Sequence, residues 1–385
     1  MKKNKKRIAI NISGGFIPGI NNVIAGAVLA ANRHGWEVCG IHDGFDGLLF
    51  PERYPSGGVI ELDPQTARHL IHGTIIGTAS ASDPFNVRKI NSDGIIEETD
   101  RSGELLAELK KHKIDALISV VEGRALSILL KLNRLGLRSV CIPKSIENDI
   151  WSTSLSFGFN TALNSAAEML ERIRQAAEST HKIAVVEVPG TRTGWLALQS
   201  GMATLADAVL IPEIPYDINY VASELGKKIS SGKRFGIVVA AEGAVPVKKE
   251  ETQREISSFN ASLSPHAKEG EGPFVIERSG LAANHAALEL QRLTELETYP
   301  IVIGQLVRGG TPTAVDKQLG LGYGAGAVKA LNEDQSGVMV VFQPPDLKYV
   351  SLAESINKVR TVPTDSLFIK ITQALGICLG SEVIS

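Results

Sequence analysis

Few cysteines, few aromatic residues and no long apolar run set the first limits on this chain of 385 residues. Its three cysteines, Cys39, Cys141 and Cys378, lie far apart in apolar segments and in no paired spacing such as C-x-x-C. This usage argues against disulfides and cysteine-bound metal, and it favours reduced thiols in a cytoplasmic protein. Aromatic residues make up only 5% of the chain, and no stacking stripe for single-stranded nucleic acid is visible.

Charge and hydropathy exclude further classes of partner. The 40 basic and 42 acidic residues nearly cancel, so no overall field favours nucleic acid or an acidic membrane. The basic start is followed by an apolar run that Gly14, Gly15 and Pro18 interrupt before it could serve as a signal sequence or span a bilayer. We therefore expect no export, no membrane partner and no nucleic-acid partner. The length allows two domains whose cores need no disulfide or metal.

Apolar patterns with strand and helix periods alternate along the chain. They predict strands over 7–12, 37–42, 114–121, 182–188, 236–241 and 301–306, and helices over 21–32, 103–112, 125–135, 161–179, from 195 onward and 219–230. Such alternation indicates an α/β fold with a parallel sheet covered on both faces, in which ligands gather at the carboxyl ends of the strands.

Two glycine-containing loops follow early segments. The loop 13–19 comes directly after the first predicted strand and opens a helix, an arrangement whose free backbone N–H groups suit phosphate. It is not the dinucleotide pattern G-x-G-x-x-G. The loop 72–80 is either a second phosphate cradle or a tight turn whose hydroxyls bond their own backbone.

The stretch 141–150 concentrates charge directly after an apolar strand. Within six residues it holds Lys144, Glu147 and Asp149. Two carboxylates and an ammonium at a strand end indicate acid–base chemistry on a ligand bound there.

Several short blocks carry a more specific signal. They are Ser13-Gly14-Gly15-x-x-Pro18-Gly19-x-Asn21, Asp43-Gly44-x-x-Gly47-Leu48, Gly73-Thr74-Ile75-Ile76-Gly77-Thr78, Pro143-Lys144-Ser145-Ile146-Glu147-Asn148-Asp149, Phe157-Gly158-Phe159-Asn160-Thr161-Ala162, Ala241-Glu242-Gly243-Ala244-Val245-Pro246 and Arg308-Gly309-Gly310-Thr311-Pro312-Thr313. Together they resemble the 6-phosphofructokinase family over nearly the whole chain. The Pro-Lys form of the central block looks most like the bacterial branch that includes pyrophosphate-using members.

The resemblance implies a fold and a reaction. The fold is two doubly wound α/β domains with mostly parallel sheets and an active cleft between them. Residues 1–158 with about 307–357 form the donor side, and 159–306 with about 358–385 form the sugar-phosphate side, with 247–273 as a surface insertion. The family phosphorylates C1 of fructose 6-phosphate, with the donor phosphates and Mg²⁺ over the glycine loops and a carboxylate as base.

The resemblance also assigns site residues. Glu147 matches the base, Asp149 the second carboxylate and Lys144 a lysine near the phosphates. The substrate-binding positions are Ser145, Lys182, Gly190, Arg192, Glu242, Gln305 and Arg308. The donor-phosphate positions are Gly14, Gly15, Gly77, Ser80, Gly123 and Arg124, with Glu122 as the candidate metal ligand. The family base is aspartate, and the longer Glu147 shifts the carboxylate by over about 1 Å, a misplacement that can cost on the order of 100-fold in rate.

The donor side departs most from the family. Its G-G-D-G loop aligns with 121–124, so two glycines and the metal-side acid are displaced. Glu122 and Arg124 form either a local ion pair or a ligand site, and we favour a fixed positive charge of Arg124 that holds an anion where Mg²⁺ would sit. Phe16 and Ser80 replace further donor contacts.

The acceptor side departs too. The family turn M-G-R is Pro189-Gly190-Thr191 here, with Arg192 one place beyond the missing arginine. Lys182 and Tyr299 replace two phosphate-clamping arginines, and Gln305 replaces a histidine.

These departures favour a diverged homologue that binds a phosphorylated small molecule, with weak or no fructose-6-phosphate kinase activity, in a regulatory or repurposed role. The alternative is an active phosphotransferase with Glu147 as base, for which pyrophosphate is favoured over ATP as the donor. Mg²⁺ is expected only in the active case, and otherwise no cofactor. Family members assemble as dimers or tetramers, so we expect a homo-oligomer in which Lys182 and Tyr299 reach across subunits; an active paralogue is a further candidate partner.

Overall fold

The chain divides into two compact units. In this computed structural model, residues 5–69, 73–79, 82–90, 96–123, 125–247 and 280–382 are described. Unit 1 comprises Met1–Ser145, Ile150–Asn160 and Gly310–Lys358, and unit 2 comprises Ile146–Asp149, Thr161–Gly309 and Val359–Ser385. The expected surface insertion 247–273 lies outside the described residues except for Val247.

Strands and helices alternate along both units. The strands are β1 Arg7–Ile12, β2 Glu37–Ile41, β3 Val59–Glu61, β4 Val87–Ile90, β5 Ile96–Thr99, β6 Ala116–Val121, β7 Ser139–Pro143, β8 Ile183–Val188, β9 Ala208–Leu210, β10 Gly236–Ala241, β11 Thr298–Val302, β12 Val338–Gln343 and β13 Asp346–Ser351. The α-helices are Ile20–Arg33, Asp46–Leu49, Pro64–Arg68, Ser102–Lys111, Ala125–Arg134, Phe159–Thr180, Trp195–Ala203, Ile218–Ser230, Leu281–Thr294, Ala314–Asn332, Leu352–Ser355 and Leu367–Ala374. In the part of the chain described, none of these helices combines the length and apolar character needed to cross a membrane.

Unit 1 is built on a seven-stranded sheet in the order β13-β12-β7-β6-β1-β2-β3. The five inner strands pair in parallel, and the outermost strands β13 and β3 are antiparallel to their neighbours. All residues of β6 and β7 are buried, as expected for central strands covered on both faces, which read as continuous apolar runs. A separate antiparallel pair, β4 with β5, was not predicted.

Unit 2 contains a parallel four-stranded sheet in the order β11-β8-β10-β9. The predicted mostly parallel α/β fold is thus confirmed in both units. The strand predicted over 301–306 was wrong, because the strand is Thr298–Val302 and a 3₁₀ helix spans Gly304–Arg308. Ile303 takes right-handed helical angles and Gly304 has φ +47°, so the chain leaves the extended conformation there.

Two long helices of unit 1 pack at glycine positions. A Cβ built on Gly26, in the helix Ile20–Arg33, would lie 2.2 Å from the carbonyl oxygen of Leu321. A Cβ on Gly324, in the helix Ala314–Asn332, would lie 2.2 Å from the carbonyl oxygen of Val23. Both clashes are with backbone, so the close approach of these helices requires glycine on each side.

We predict that Gly324→Ala destabilises the protein, since the added methyl must push the two helices apart, at a cost of about 1–3 kcal/mol. Gly226→Ala is the matched control, because its Cβ would meet nothing within 4 Å on the helix Ile218–Ser230. Alanine there should raise stability by up to about 1 kcal/mol. Urea unfolding of both variants measures the difference, and equal stabilities would contradict the prediction.

Candidate ligand sites in the two units

The parallel register of unit 1 brings three strand ends to one edge. Ile12 on β1 pairs with Val120 on β6, and Val121 pairs with Pro143 on β7. The residues that follow these strands therefore emerge side by side. They include the first glycine loop, Glu122 and Lys144.

The carboxylate of Glu122 lies against the glycine loop. Its Oε1 accepts the N–H of Gly15 at 2.9 Å and lies 3.0 Å from Nζ of Lys144. Lys144, whose side chain is 0% exposed, also donates to the carbonyl of Gly15. A Cβ on Gly14 would stand 2.7 Å from Cδ of Glu122. The structure thus brings predicted donor-site residues together, but around a carboxylate of the protein itself.

The second glycine loop lies beside the first. The N–H of Gly14 donates to the carbonyl of Ala79 at 2.9 Å, and the hydroxyl of Thr78 donates to the carbonyl of Gly14. Gly77 has φ +67°, and its carbonyl accepts the hydroxyl of Thr74 at 3.4 Å. The hydroxyl of Thr74 therefore bonds its own loop, as the tight-turn interpretation expects, while that of Thr78 ties the two loops together.

Some of the remaining predicted positions of unit 1 have hydrogen-bond partners in the structure, and others lie outside the described residues. The carbonyl of Gly123 accepts the N–H of Leu126 at 3.4 Å at the start of the helix Ala125–Arg134. Ser80 and Arg124 lie outside the described residues, so the expected anion-holding role of Arg124 stays a prediction. Ser145 is buried, and its N–H donates to the carbonyl of Phe157 at 3.1 Å.

Glu122 is the predicted Mg²⁺ ligand at this edge of the sheet. Mg²⁺ prefers several oxygen ligands in octahedral geometry, commonly one or two carboxylates with substrate phosphates. Glu122, the predicted ligand, is paired with Lys144 and Gly15. Within the described ranges, no three His, Cys, Asp or Glu side chains form a metal-binding group. We assign no step to the metal.

Unit 2 holds the two carboxylates of the central stretch. Oε2 of Glu147 accepts the N–H of Thr191 at 3.1 Å, and Oδ2 of Asp149 lies 3.2 Å from Nη2 of Arg192. Asn148 between them has φ +56° and is 2% exposed. Both predicted carboxylates therefore contact the turn that follows β8. Arg192 pairs with Asp149 there, and its expected role in binding the substrate stays a prediction.

The environment of Glu147 favours its protonated form. Burial raises the pKa of this carboxyl to about 7, and the negative charges of Asp149 and Glu242 act in the same direction. The N–H of Thr191 and the charge of Arg308 oppose the rise in pKa. A carboxyl with such a pKa exchanges its proton near neutrality, which suits a general base or acid.

Strand pairing also explains how the other predicted unit 2 residues meet. Val188 on β8 pairs with Ala241 on β10, so the turn at Gly190 and the acidic Glu242 leave the same edge. The carbonyl of Gly190 accepts the N–H of Gly243 at 3.0 Å. Arg308, at the end of the 3₁₀ helix, is near enough to lower the pKa of Glu147.

Three further residues named by the resemblance lie on or beside β8, β11 and the 3₁₀ helix. Nζ of Lys182 lies 2.5 Å from a carboxylate oxygen of Glu297. Tyr299 is on β11, in register with Ala184 of β8. Gln305 is exposed on the 3₁₀ helix. The expected contacts of Lys182 and Tyr299 across subunits, and the expected substrate contact of Gln305, stay predictions.

Sequence reasoning missed a second layer behind the carboxylates. The N–H of Arg360 donates to the carbonyl of Asp149 at 2.9 Å, and Nη1 donates to the carbonyl of Asn148 at 3.3 Å. The indole N–H of Trp195 donates to the carbonyl of Arg360 at 3.0 Å. No spacing signal links positions so far apart in the chain, so only the folded structure reveals these contacts.

Each unit places polar residues at the carboxyl ends of parallel strands, the glycine loop in unit 1 and the paired carboxylates beside arginine in unit 2, and these ends are where α/β folds bind ligands. The family model described as "Phosphofructokinase" matches residues 7–331. The chain belongs to the phosphofructokinase family, and the resemblance in the sequence blocks is confirmed.

Curated relatives match along their full length. The chain is 34% identical over 387 residues to a Chloroflexus aurantiacus protein named ATP-dependent 6-phosphofructokinase, covering 100% of both chains. It is 37% identical over 358 residues to ATP-dependent 6-phosphofructokinase 3 of Streptomyces coelicolor, covering 93% of this chain and 96% of that one.

Solved structures agree in fold. The phosphofructokinase structure from Saccharomyces cerevisiae superposes with a TM-score of 0.71 at 26% identity, covering 96% of this chain and 47% of that chain, so the protein spans about half of the yeast chain. A pyrophosphate-dependent phosphofructokinase from Marinobacter aquaeolei gives a TM-score of 0.73 at 19% identity, covering 98% and 92% of the two chains. At that identity the likeness concerns the fold alone.

The raised pKa of Glu147 predicts that Glu147→Gln increases the stability of the protein in a pH-dependent way. Because the folded-state pKa, about 7, exceeds the ordinary value of 4.5, the folded protein binds the extra proton between these values, and stability falls as pH rises through that window. The penalty is complete above pH 7, where it reaches about 3 kcal/mol. Glutamine carries no charge, so the free energy of unfolding of the variant should exceed that of the wild type by about this amount at pH 8. The two values should be equal near pH 4.

Urea unfolding at a series of pH values measures this difference. Glu178→Gln, at an exposed position of the helix Phe159–Thr180, is the control and should follow the wild-type profile. Parallel profiles for Glu147→Gln and the wild type would show that Glu147 ionises normally.

Proposed function

We propose that this member of the phosphofructokinase family binds a phosphorylated small molecule in unit 2 and transfers phosphoryl groups from ATP or pyrophosphate weakly or not at all. The observation that carries the proposal is the carboxylate of Glu122 on the glycine loop of unit 1. It accepts the N–H of Gly15 and pairs with the buried Lys144.

A donor phosphate needs the groups that Glu122 already engages. Backbone N–H groups at a loop before a helix and a lysine ammonium are common phosphate contacts. A phosphate arriving beside Glu122 also meets a like charge, and at about 4 Å this repulsion is roughly 4 kcal/mol per charge pair near a protein surface. Binding of a donor therefore requires the carboxylate to leave Gly15 and Lys144.

The ligand side in unit 2 keeps groups that suit a sugar phosphate. Arg192 and Arg308 supply positive charge, and planar guanidinium groups match phosphate oxygens well. Glu147 has a pKa of about 7. Near neutral pH it can therefore accept a hydrogen bond from a sugar hydroxyl when ionised or donate one to it when protonated. The expected ligand is a phosphomonoester that also carries hydroxyl groups.

The second candidate is an active phosphotransferase. Its support is the pKa of Glu147, which suits a base that takes the proton of a sugar hydroxyl while the phosphoryl group is transferred. Two phosphoryl donors are considered for this function. The Pro-Lys form of the block that contains Lys144 favours pyrophosphate, and the relatives named ATP-dependent 6-phosphofructokinase support ATP. In this function Mg²⁺ accompanies the donor, and Glu122 must move away from the loop.

Assembly and location follow from the family. We propose a cytoplasmic homodimer or homotetramer, with an active paralogue as a further partner. Lys182 and Tyr299 are the proposed contacts across subunits. A monomer in light scattering at micromolar concentration would contradict the assembly and leave these two residues without that role.

A coupled assay separates the two candidates. Purified protein is given ATP or pyrophosphate with millimolar fructose 6-phosphate and Mg²⁺. Turnover in the usual enzyme range of about 1 to 1000 per second would overturn the first function and favour the second. In that case Glu147→Gln should abolish turnover, because the base is lost while the fold stays intact.

We predict that Glu122→Gln opens the glycine loop to anions. The variant leaves the buried Lys144 without its carboxylate, so it should be less stable than the wild type by about 3 kcal/mol in the absence of anions. Pyrophosphate should then raise its melting temperature, because a ligand at 100 times its dissociation constant adds about 2.7 kcal/mol. The wild type should respond much less.

The control is Glu108→Gln, which breaks the exposed pair with Lys111 on the helix Ser102–Lys111. Its stability should change by less than about 1 kcal/mol and its response to pyrophosphate should equal that of the wild type. If the wild type and Glu122→Gln respond equally to pyrophosphate, Glu122 does not guard the loop.

A further inference from the structure

The segment Glu147–Asp149 presents its side chains and its carbonyls to different partners. The two carboxylates contact Thr191 and Arg192 in the turn after β8. The carbonyls of Asn148 and Asp149 instead accept hydrogen bonds from Arg360. Asn148, with φ +56°, reverses the chain locally, and such a left-handed residue keeps its conformation only when neighbours hold it.

Arg360 is the neighbour that holds this segment. Its backbone N–H reaches the carbonyl of Asp149 at 2.9 Å, and its guanidinium reaches the carbonyl of Asn148 at 3.3 Å. Hydrogen bonds from a charged donor are among the stronger ones in proteins. Arg360 thus holds the two peptide groups that flank the Cα of Asp149.

Trp195 fixes Arg360 in turn. The guanidinium carbon lies 4.1 Å from the centre of the indole ring, a cation–π distance. The indole N–H donates to the carbonyl of Arg360 at 3.0 Å, and Trp195 is 9% exposed. Backbone and side chain of Arg360 are therefore both attached to one buried residue at the start of the helix Trp195–Ala203.

One carboxylate joins this layer to the turn that meets Glu147. Glu213 accepts the N–H of Gly194 at 3.1 and 3.0 Å and the N–H of Val362 at 2.8 Å. Gly194 ends the turn that carries Thr191 and Arg192, and Val362 lies two residues beyond Arg360. The turn that contacts the carboxylates and the segment that contains Arg360 are thus both bound to Glu213.

We propose that Arg360 is a positioning residue for the ligand site of unit 2, which sets the geometry of Glu147 and Asp149 by holding the carbonyls of Asn148 and Asp149. Its importance for ligand binding rests on the proposed function. Its effect on the carboxylates does not, because it follows from contacts within unit 2. In these hydrogen bonds Arg360 contacts backbone carbonyls and not the carboxylates themselves.

The pKa of Glu147 reports this geometry. Charged groups that act on Glu147 are Asp149, Glu242 and Arg308, besides its hydrogen bond from Thr191. Burial is the largest cause of its raised pKa. A loosened segment admits water to Glu147, and the loss of burial lowers its pKa toward the ordinary value.

The test is a titration of Glu147 in the Arg360→Met variant, followed by NMR with ¹³C-labelled glutamate carboxyl groups. Glu147→Gln identifies the resonance by its loss. Methionine keeps an unbranched stem against Trp195 but removes the donor to Asn148. We expect the titration midpoint to fall from about 7 by at least about one unit, a tenfold change in the proton-binding constant.

Arg292→Met is the matched control. Arg292 is an exposed arginine of unit 2 that pairs with Glu289 on the same helix, Leu281–Thr294. This control should leave the midpoint unchanged, whereas Arg360→Lys, which keeps the charge, should give a smaller fall than methionine. If Arg360→Met does not fold, Trp195→Phe serves instead, because it removes the indole donor to Arg360 and keeps an aromatic ring beside the guanidinium, and it should lower the midpoint in the same direction.

An unchanged midpoint in the folded Arg360→Met or Trp195→Phe variant would overturn the proposal. The titration needs neither ligand nor turnover, so its outcome is independent of whether the protein binds a sugar phosphate. A lowered midpoint in a protein that binds no phosphomonoester in a thermal-shift assay would retain the positioning role and remove the proposed function.

Discussion

The parallel pairing of β6 between β1 and β7 is the constraint on which unit 1 depends. Its register places the first glycine loop, Glu122 and Lys144 at one edge. Lys144 is 0% exposed, and a buried ammonium is costly unless a carboxylate and further acceptors surround it. Glu122 and the carbonyl of Gly15 supply both. The same carboxylate that satisfies the lysine also accepts the N–H of Gly15, so in the proposed function protein stability and donor binding compete for one set of atoms.

Much of the fold was predictable from the sequence because its strands are continuous apolar runs that alternate with helical periods. The strands at 7–12 and 236–241 were predicted with their observed bounds. The error at 301–306 has a local cause, since the apolar pattern continues through residues whose backbone turns at Gly304. Hydrophobic pattern registers burial, and burial alone does not distinguish a strand from a short 3₁₀ helix.

The sites were predictable in part. The paired carboxylates, the glycine loop and Arg192 lie in short motifs and could be found by spacing. The pairing of Glu122 with Lys144 could not, because the two residues are 22 positions apart in the chain and parallel strand pairing brings them together. Arg360 and Glu213 bind residues that are far away in the sequence, and no sequence pattern predicts these contacts. Their partners are backbone groups, which nearly every residue type offers.

The attachment of Arg360 to Asn148 spans 212 positions of the chain. A polypeptide emerges from the ribosome at about 5–20 residues per second, so on the order of 10 seconds or more separates the synthesis of the two partners. During that interval the acidic segment has its turn but not its support. The protein thus acquires the final shape of its acidic ligand site late, after most of its hydrophobic core has already been translated.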